Sequence, residues 1–327
     1  MARGPVGRME IGEPTSATGR IARLRLHLAF LFGLVHIEPS FSDCRSRHQK
    51  TSQGDLMAQP PDLSSTYPIS RKQFEEYQRD GHIFLKSVAS LSEVGASRPL
   101  ITEIVDAVTR ERDTQGRISD YGKMFTQVTN VWRRNEAAKQ FVFARRFAQI
   151  AADLMGVSGV RLYHDQALIK EPGGKPTPWH QDYYYWPLDT EHTITMWMPL
   201  VDVSREMGSM SFVRGSHVNS AFEKLPISET SQEYFERIIR EQGSKVCSYA
   251  LKAGDATFHS GRALHSAHAN ASALRREVMT IIYYADGTRI LEPDNEHRKV
   301  DMEVFHPGQK PGELAASELN PLLYGRV

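Results

Sequence analysis

Hydrophobic and polar positions change period once along this chain of 327 residues. Up to Gly156 they recur at helical spacing; beyond it they alternate or cluster in short runs, as in strands. Ser70 as N-cap opens a helix over "RKQFEEYQ" that Gly81 stops. The run at 83–86 (IFLK) predicts a short strand, and a second helix is expected over about 97–112. Asn135 caps one continuous helix, "EAAKQFVFARRFAQIAADLM", which carries Phe141, Ala144, Ala148, Ala151 and Met155 on one face and ends at Gly156. Strands are then predicted over 160–170, 192–201, 209–214, 245–252, 256–259 and 277–285, with one helix over 229–241. The turn signals EPGGKP, MGS, RGS, AGD and DGT separate them. Helices followed by many short strands predict a mainly β fold of α+β class, an antiparallel barrel or sandwich with helices packed outside.

Composition narrows the function classes. Lysine plus arginine number 40 against 39 for aspartate plus glutamate, with no basic block. A nucleic acid or a membrane surface is therefore not the expected partner. The two cysteines, Cys44 and Cys247, are far apart, so no disulfide framework or CxxC zinc site is expected, in keeping with a reducing compartment. Thirteen histidines keep metal chemistry open.

The first sixty residues read differently from the rest. Their apolar run at 28–35 (LAFLFGLV) is far shorter than the roughly 20 residues a membrane span needs. Arg20, Arg23 and Arg25 lie in a stretch without acidic residues from 14 to 37, which is transit-peptide-like, while Glu10 and Glu13 oppose that reading. We expect residues 1–60 to be a disordered or targeting-like extension and 61–327 to be the functional domain. The expected location is cytoplasmic, and the extension leaves mitochondrial import open.

The candidate chemistry starts at "PTPWHQDYYYW", residues 176–186. In a strand, His180 and Asp182 point to one face and aim at one point. Alone, this HxD pair is equally a polar strand end before a packing aromatic cluster. A metal site needs a third ligand, and the downstream histidines are His192, His217, His259, His265 and His268. His192 is too close in sequence, and His217 sits in a Gly-Ser turn. His265 starts a segment that reaches Arg275 ten residues later. Two histidines and a carboxylate make the facial triad of non-haem iron(II), which leaves positions open for a co-substrate and dioxygen. An arginine fork beyond the second histidine pairs bidentately with a carboxylate, as 2-oxoglutarate requires. A zinc hydrolase using the same three residues, and a catalytically silent binding protein on the same barrel, are the alternatives.

From about Ser70 to Ala285 the chain resembles the phytanoyl-CoA dioxygenase family of iron(II)/2-oxoglutarate oxygenases. The matching pieces are "FEEYQRDGHIFL", "FTQVTNVWRR", "DQALIKEPGGKPTPWHQDYYYW", "MWMPLVDVSREMGSMSFVRGSH" and "GDATFH…LHSAHAN…RR", in that order. The resemblance implies a double-stranded β-helix core of jelly-roll, cupin-like type. It implies iron on His180, Asp182 and His265, with the distal carboxylate of 2-oxoglutarate on Arg275 and Arg276 as its alternative. Gln127, Gln166, Trp197 and Ser266 are the further 2-oxoglutarate contacts it suggests. The implied reaction is oxidation of a C–H bond in a small molecule, an acyl-CoA, amino-acid-like compound or secondary metabolite. Hydroxylation is the default, succinate and carbon dioxide are released, and ascorbate serves as reductant. Relatives that halogenate replace the carboxylate by a small residue, so Asp182 points to oxygenation.

Strand parity turns Tyr184 inward with His180 and Asp182, toward the substrate, while Tyr183 and Tyr185 face away and Trp186 suits a core or lid-packing role as well as substrate contact. Lys170 is a candidate for a substrate carboxylate or an exposed strand-end lysine. His164, His259 and His268 are expected to be structural or to support the site, His217 and Asp255 to shape turns, and residues 219–243 to form a lid. Monomer and homodimer are both compatible with the sequence.

Overall fold

The computed structural model describes residues 62–222 and 224–326. The expected extension over residues 1–60 lies outside them. The chain begins with helices α1 (Arg71–Asp80) and α2 (Leu91–Thr114) on either side of strand β1 (His82–Leu85). Ser70 caps α1 in a reciprocal capping box with Gln73, and Gly81 closes it at φ 74°. A short α3 (Asp120–Met124) leads into β2 (Phe125–Thr129).

The region expected to be one helix is two, α4 (Glu136–Val142) and α5 (Arg145–Met155). In an unbroken helix, at about 100° per residue, Phe141 and Phe147 would lie on different faces. The break at Phe143–Ala144 lets both rings enter the core edge to face, 5.2 Å apart. It also lets Arg146 reach Glu93 at 2.9 Å.

Then come β3 (Gly159–Lys170), β4 (Thr177–His180), β5 (Thr193–Pro199) and β6 (Met210–Val213). Helix α6 (Glu229–Glu241) precedes β7 (Val246–Ser248), β8 (Ala256–Ser260), β9 (His265–Ala267) and β10 (Arg276–Ala285). Helix α7 (Glu296–Phe305) and β11 (Leu322–Gly325) finish the described chain.

Two antiparallel sheets result. The large one runs β1-β8-β5-β10-β3-β11, with β2 also pairing β3; the small one runs β4-β9-β6-β7. The long strand β3 takes β11 along its Gly159–Arg161 end and β2 along Gln166–Lys170. Helices α2 and α5 pack on the outer face of the large sheet, with α4 against α2, and there Met196, Met279, Ile281 and Tyr283 join the main core. Because that sheet is covered on one face and lines a cavity on the other, β10 is buried at every position but its last.

Candidate active site

The cavity lies between the two sheets. Its side chains come from β2, β3, β5, β8 and β10 of the large sheet, from β4, β6 and β9 of the small one, and from α7. His180 ends β4 directly opposite His265, which starts β9. Asp182 is not on a strand: it opens a 3-10 turn, Asp182–Tyr184. The turn, rather than strand parity, swings its carboxylate back toward the two imidazoles.

One imidazole nitrogen is assigned on each ring by its hydrogen bond. His180 Nδ1 lies 2.7 Å from the Pro178 carbonyl and His265 Nδ1 2.9 Å from that of Ala263, so each Nδ1 donates. In a neutral ring so bonded, Nε2 is the nitrogen that carries the lone pair. Those nitrogens face Asp182 Oδ1 at 3.5 Å and 3.7 Å. The ligand atoms of all three residues fall within 4.8 Å of one another. Three acceptors converging without a proton between them fit a cation at their centre. Burial opposes the Asp182 charge, but the surrounding His265, His180 and His259 hold its pKa well below the usual carboxylate range. Burial and the neighbouring His180 push that of His265 well below the imidazole range. A charged carboxylate beside the neutral His265 imidazole favours metal binding.

Support comes from the next layer of residues. Thr195, on β5, donates to Asp182 Oδ2 at 3.2 Å. His259 pairs with Thr195 across β8 and β5, and its Nε2 is 3.4 Å from the same oxygen. Both nitrogens of His259 are buried without a hydrogen-bond partner. His164 also lines the cavity, stacked on Phe305 at 4.2 Å. His268 stays outside, with Nε2 3.1 Å from Ser211 Oγ, and His217 holds the α1 end through the Gln78 carbonyl. Asp255 accepts from the backbone N–H groups of Ser87 and Lys252, as its turn requires.

The arginine that faces the cavity is Arg276, not Arg275. Arg275 precedes β10 and turns outward, pairing with Asp106 at 2.6 Å and Glu171 at 3.1 Å. Arg276 is 1 % exposed and starts the inward row Arg276, Val278, Thr280, Ile282. Its guanidinium lies 5.7 Å from the ring centres of both Phe125 and Trp197. It donates to the Gly208 carbonyl at 2.8 Å and has no carboxylate partner among the described residues, while its Nε is left unpaired. Burial lowers its pKa to about 10, so it remains charged at neutral pH. A buried, unneutralised guanidinium is costly unless a ligand brings the anion. Gln127, Gln166, Trp197 and Ser266 line the same cavity, and Gln127 Oε1 lacks a partner.

Tyr184 and Lys170 need correction. Within the 3-10 turn, Tyr184 packs beside Tyr185 and His297, and it is Tyr185 and Trp186 that line the cavity. Tyr183 does turn away, its hydroxyl bound to the Leu188 carbonyl. Lys170 is neither exposed nor in the cavity. It is fully buried opposite Arg276, over the Phe125 ring, and donates to the His268 carbonyl at 3.0 Å. Burial, with Arg276 beside it, lowers its pKa to about 6.

Residues 219–243 bear on the site through α6. Gln232 accepts from the Trp179 backbone at 2.7 Å, and Ile227 lines the cavity. Asp301, from α7, is a lining residue that the sequence pattern did not single out. Burial raises its pKa to about 7, the Tyr163 hydroxyl opposing and the charge of Asp182 adding to the rise.

Comparison with known proteins agrees with this geometry. The family description "Phytanoyl-CoA dioxygenase (PhyH)" matches residues 77–278. A probable alpha-ketoglutarate-dependent hypophosphite dioxygenase of Stutzerimonas stutzeri is 24% identical over 226 residues, 65% of this chain and 78% of that protein. Among solved structures, the non-heme alpha ketoglutarate dependent carbocyclase SnoK from nogalamycin biosynthesis is 25% identical with TM-score 0.64, covering 80% of this chain and 98% of that one. The epimerase SnoN, solved with Fe3+, alpha ketoglutarate and nogalamycin RO, shares the fold at 24% identity and TM-score 0.60, over 77% of this chain and 97% of that one. The matched span covers the small sheet, the large sheet from β1 to the start of β10 and the histidine–carboxylate cluster, and on it the chain belongs to the phytanoyl-CoA dioxygenase family.

Proposed function

We propose that this enzyme hydroxylates an unactivated C–H bond of a small organic molecule. Iron(II) is its metal and 2-oxoglutarate its co-substrate. The observation that carries the reading is Arg276, a buried guanidinium without a carboxylate partner in the cavity that holds His180, Asp182 and His265. A zinc hydrolase would leave that cation without a task. We read the two facing sheets as a double-stranded β-helix, the jelly-roll arrangement in which strand ends present ligands inward.

In this reading His180, Asp182 and His265 would hold iron(II), which would let dioxygen act as the oxidant while 2-oxoglutarate is consumed to succinate and carbon dioxide. The chain's own residues do the rest. Arg276 pairs with the distal carboxylate of 2-oxoglutarate, and Trp197 and Phe125 wall it off from water, which strengthens that pairing. Gln127, Gln166 and Ser266 offer hydrogen bonds along its length. Thr195 fixes Asp182 by binding Oδ2, the oxygen other than the one that faces His180 and His265. Ile227, from the segment before α6, adds an apolar cover that serves as a lid. The names of the relatives range from hypophosphite oxidation to ring formation and epimerisation, so they support the oxidation and leave the substrate open.

Succinate release tests the reading. Protein with iron(II), ascorbate and 2-oxoglutarate should form succinate slowly on its own and faster with a true substrate. Folded, iron-loaded protein that forms none under any condition would rule the function out.

A further inference from the structure

The cavity has two chemically opposite ends. Register orders them: Arg276 pairs with Lys170 at one end of β10, while Ile282, six residues further along, pairs with His164 and Thr195. At that second end β3 carries a bulge, where the pairing steps from His164 to Leu162 and leaves Tyr163 without a partner on β10. A bulge redirects a side chain, and here it brings the Tyr163 ring beside His164, 5.0 Å between centres. Asn320 accepts this distortion by donating to the Leu162 and Tyr163 carbonyls.

Helix α7 lies against this bulge with Arg298, Asp301 and Phe305 as its buried residues, spaced along one helical face. Phe305 stacks on His164, and Asp301 Oδ2 accepts the Tyr163 hydroxyl at 2.8 Å. Asp301 Oδ1 has no partner among the described residues, and the side chain lines the cavity. Buried carboxylates elsewhere in the fold are fully engaged. Asp165 takes the Val131 and Trp132 backbone, and Asp80 takes Arg79 and Arg214. The nearest buried cation on the same helix, Arg298, is turned to Asp294 and the Tyr183 carbonyl instead. Asp301 is therefore oriented by one bond and has one oxygen left for a ligand. Trp186, Tyr185, Ile227 and Ile282 give the space around it an apolar, largely aromatic wall.

We propose that Asp301 binds the substrate, and that it selects a molecule presenting a hydroxyl or protonated amine beside a planar or apolar body while rejecting anions. A carboxyl in this setting accepts a hydrogen bond from such a donor and stabilises a positive charge, whereas a like charge placed against it in a dry cavity is costly. The inference builds on the proposed oxygenase reading, because Arg276 is assigned to 2-oxoglutarate and leaves the other end to the substrate.

Three small probes of similar shape test it: benzylamine, benzyl alcohol and benzoate. Each is titrated calorimetrically into anaerobic protein saturated with iron(II) and 2-oxoglutarate. Benzylamine or benzyl alcohol should bind at least about 10-fold tighter than benzoate, the scale of one charge-assisted hydrogen bond. The amine and alcohol arms distinguish a cationic from a neutral donor. In Asp301→Asn the preference should fall to about threefold or less, and Tyr163→Phe should weaken it partly by freeing the carboxyl. Benzoate binding as tightly as the donors, none of the three binding, or an Asp301→Asn protein that keeps the preference would overturn the inference. If Asp301→Asn does not fold, the wild-type preference alone decides. Failure of the protein to take up 2-oxoglutarate would instead overturn the oxygenase reading, which the saturation step reveals before any probe is added.

Discussion

The two ends of the cavity are built from the same strands yet have opposite chemistry. At the Arg276 end a guanidinium is fixed by a regular strand row and flanked by the Phe125 and Trp197 rings. At the Asp301 end a carboxyl is delivered by a helix packed on a bulge. In the reading proposed above, regular pairing supports the end assigned to the co-substrate. The irregular end, where a bulge and a late helix meet, is the one assigned to the substrate. The difference teaches that the common and the particular chemistry of this site are separable by residue, and mutations should separate them.

The largest effect is expected at the cluster that both ends share. His265→Ala removes one of three metal ligands, and both iron content after dialysis and succinate formation should fall to background. A variant that keeps iron and turnover would remove His265 from the ligand set. Next, Arg276→Met should raise the 2-oxoglutarate concentration needed for half-saturation by roughly 100-fold, from loss of about 2–3 kcal/mol of charge-assisted bonding. Arg275→Ala should leave it within about twofold, since its partners Asp106 and Glu171 are at the partly exposed surface. The reverse ranking would show that Arg275, not Arg276, holds the co-substrate.

A smaller effect is expected behind the metal. Thr195→Val removes the bond to Asp182 Oδ2, and iron affinity measured against a competing chelator should drop by about 10-fold. The smallest effect on function is expected at Lys170, which is buried opposite Arg276 and does not line the cavity. Its folded pKa, lowered to about 6, lies below that of an unfolded lysine. Between the two values the unfolded chain binds more protons, so this group makes stability rise with pH, by up to about 1.4 kcal/mol per pH unit. Lys170→Met should flatten that rise in denaturation curves between pH 6 and 10 and leave substrate binding alone. An unchanged pH slope would show that the lysine is charged in the folded protein.

Much of this was legible in the sequence, for identifiable reasons. The capped helix after Ser70, the strand after Gly156 and the helix at 229–241 each have clear period and caps, and the structure places elements there. The choice between Arg275 and Arg276 was not legible. In "EVMTIIYYA" both faces of β10 are apolar because both are buried, so the alternation that would set parity is missing. Tyr184 departs from the face that strand parity predicts for a related reason: the strand ends at His180 and a 3-10 turn begins at Asp182. Asp301 left no signal at all. In "EHRKVDMEVF" the buried face carries Arg298 and Asp301, so it reads as a solvated helix until the bulge at Tyr163 is seen against it.

One titration bears most directly on the division of the cavity. 2-Oxoglutarate is added anaerobically to iron(II)-loaded wild-type, Arg275→Ala and Arg276→Met proteins, and the weak visible charge-transfer band of the chelate is followed. Wild type and Arg275→Ala should develop the band at similar concentrations, with Arg276→Met shifted upward by roughly 100-fold. No band in folded, iron-loaded wild type, or identical curves for wild type and Arg276→Met, would contradict the assignment.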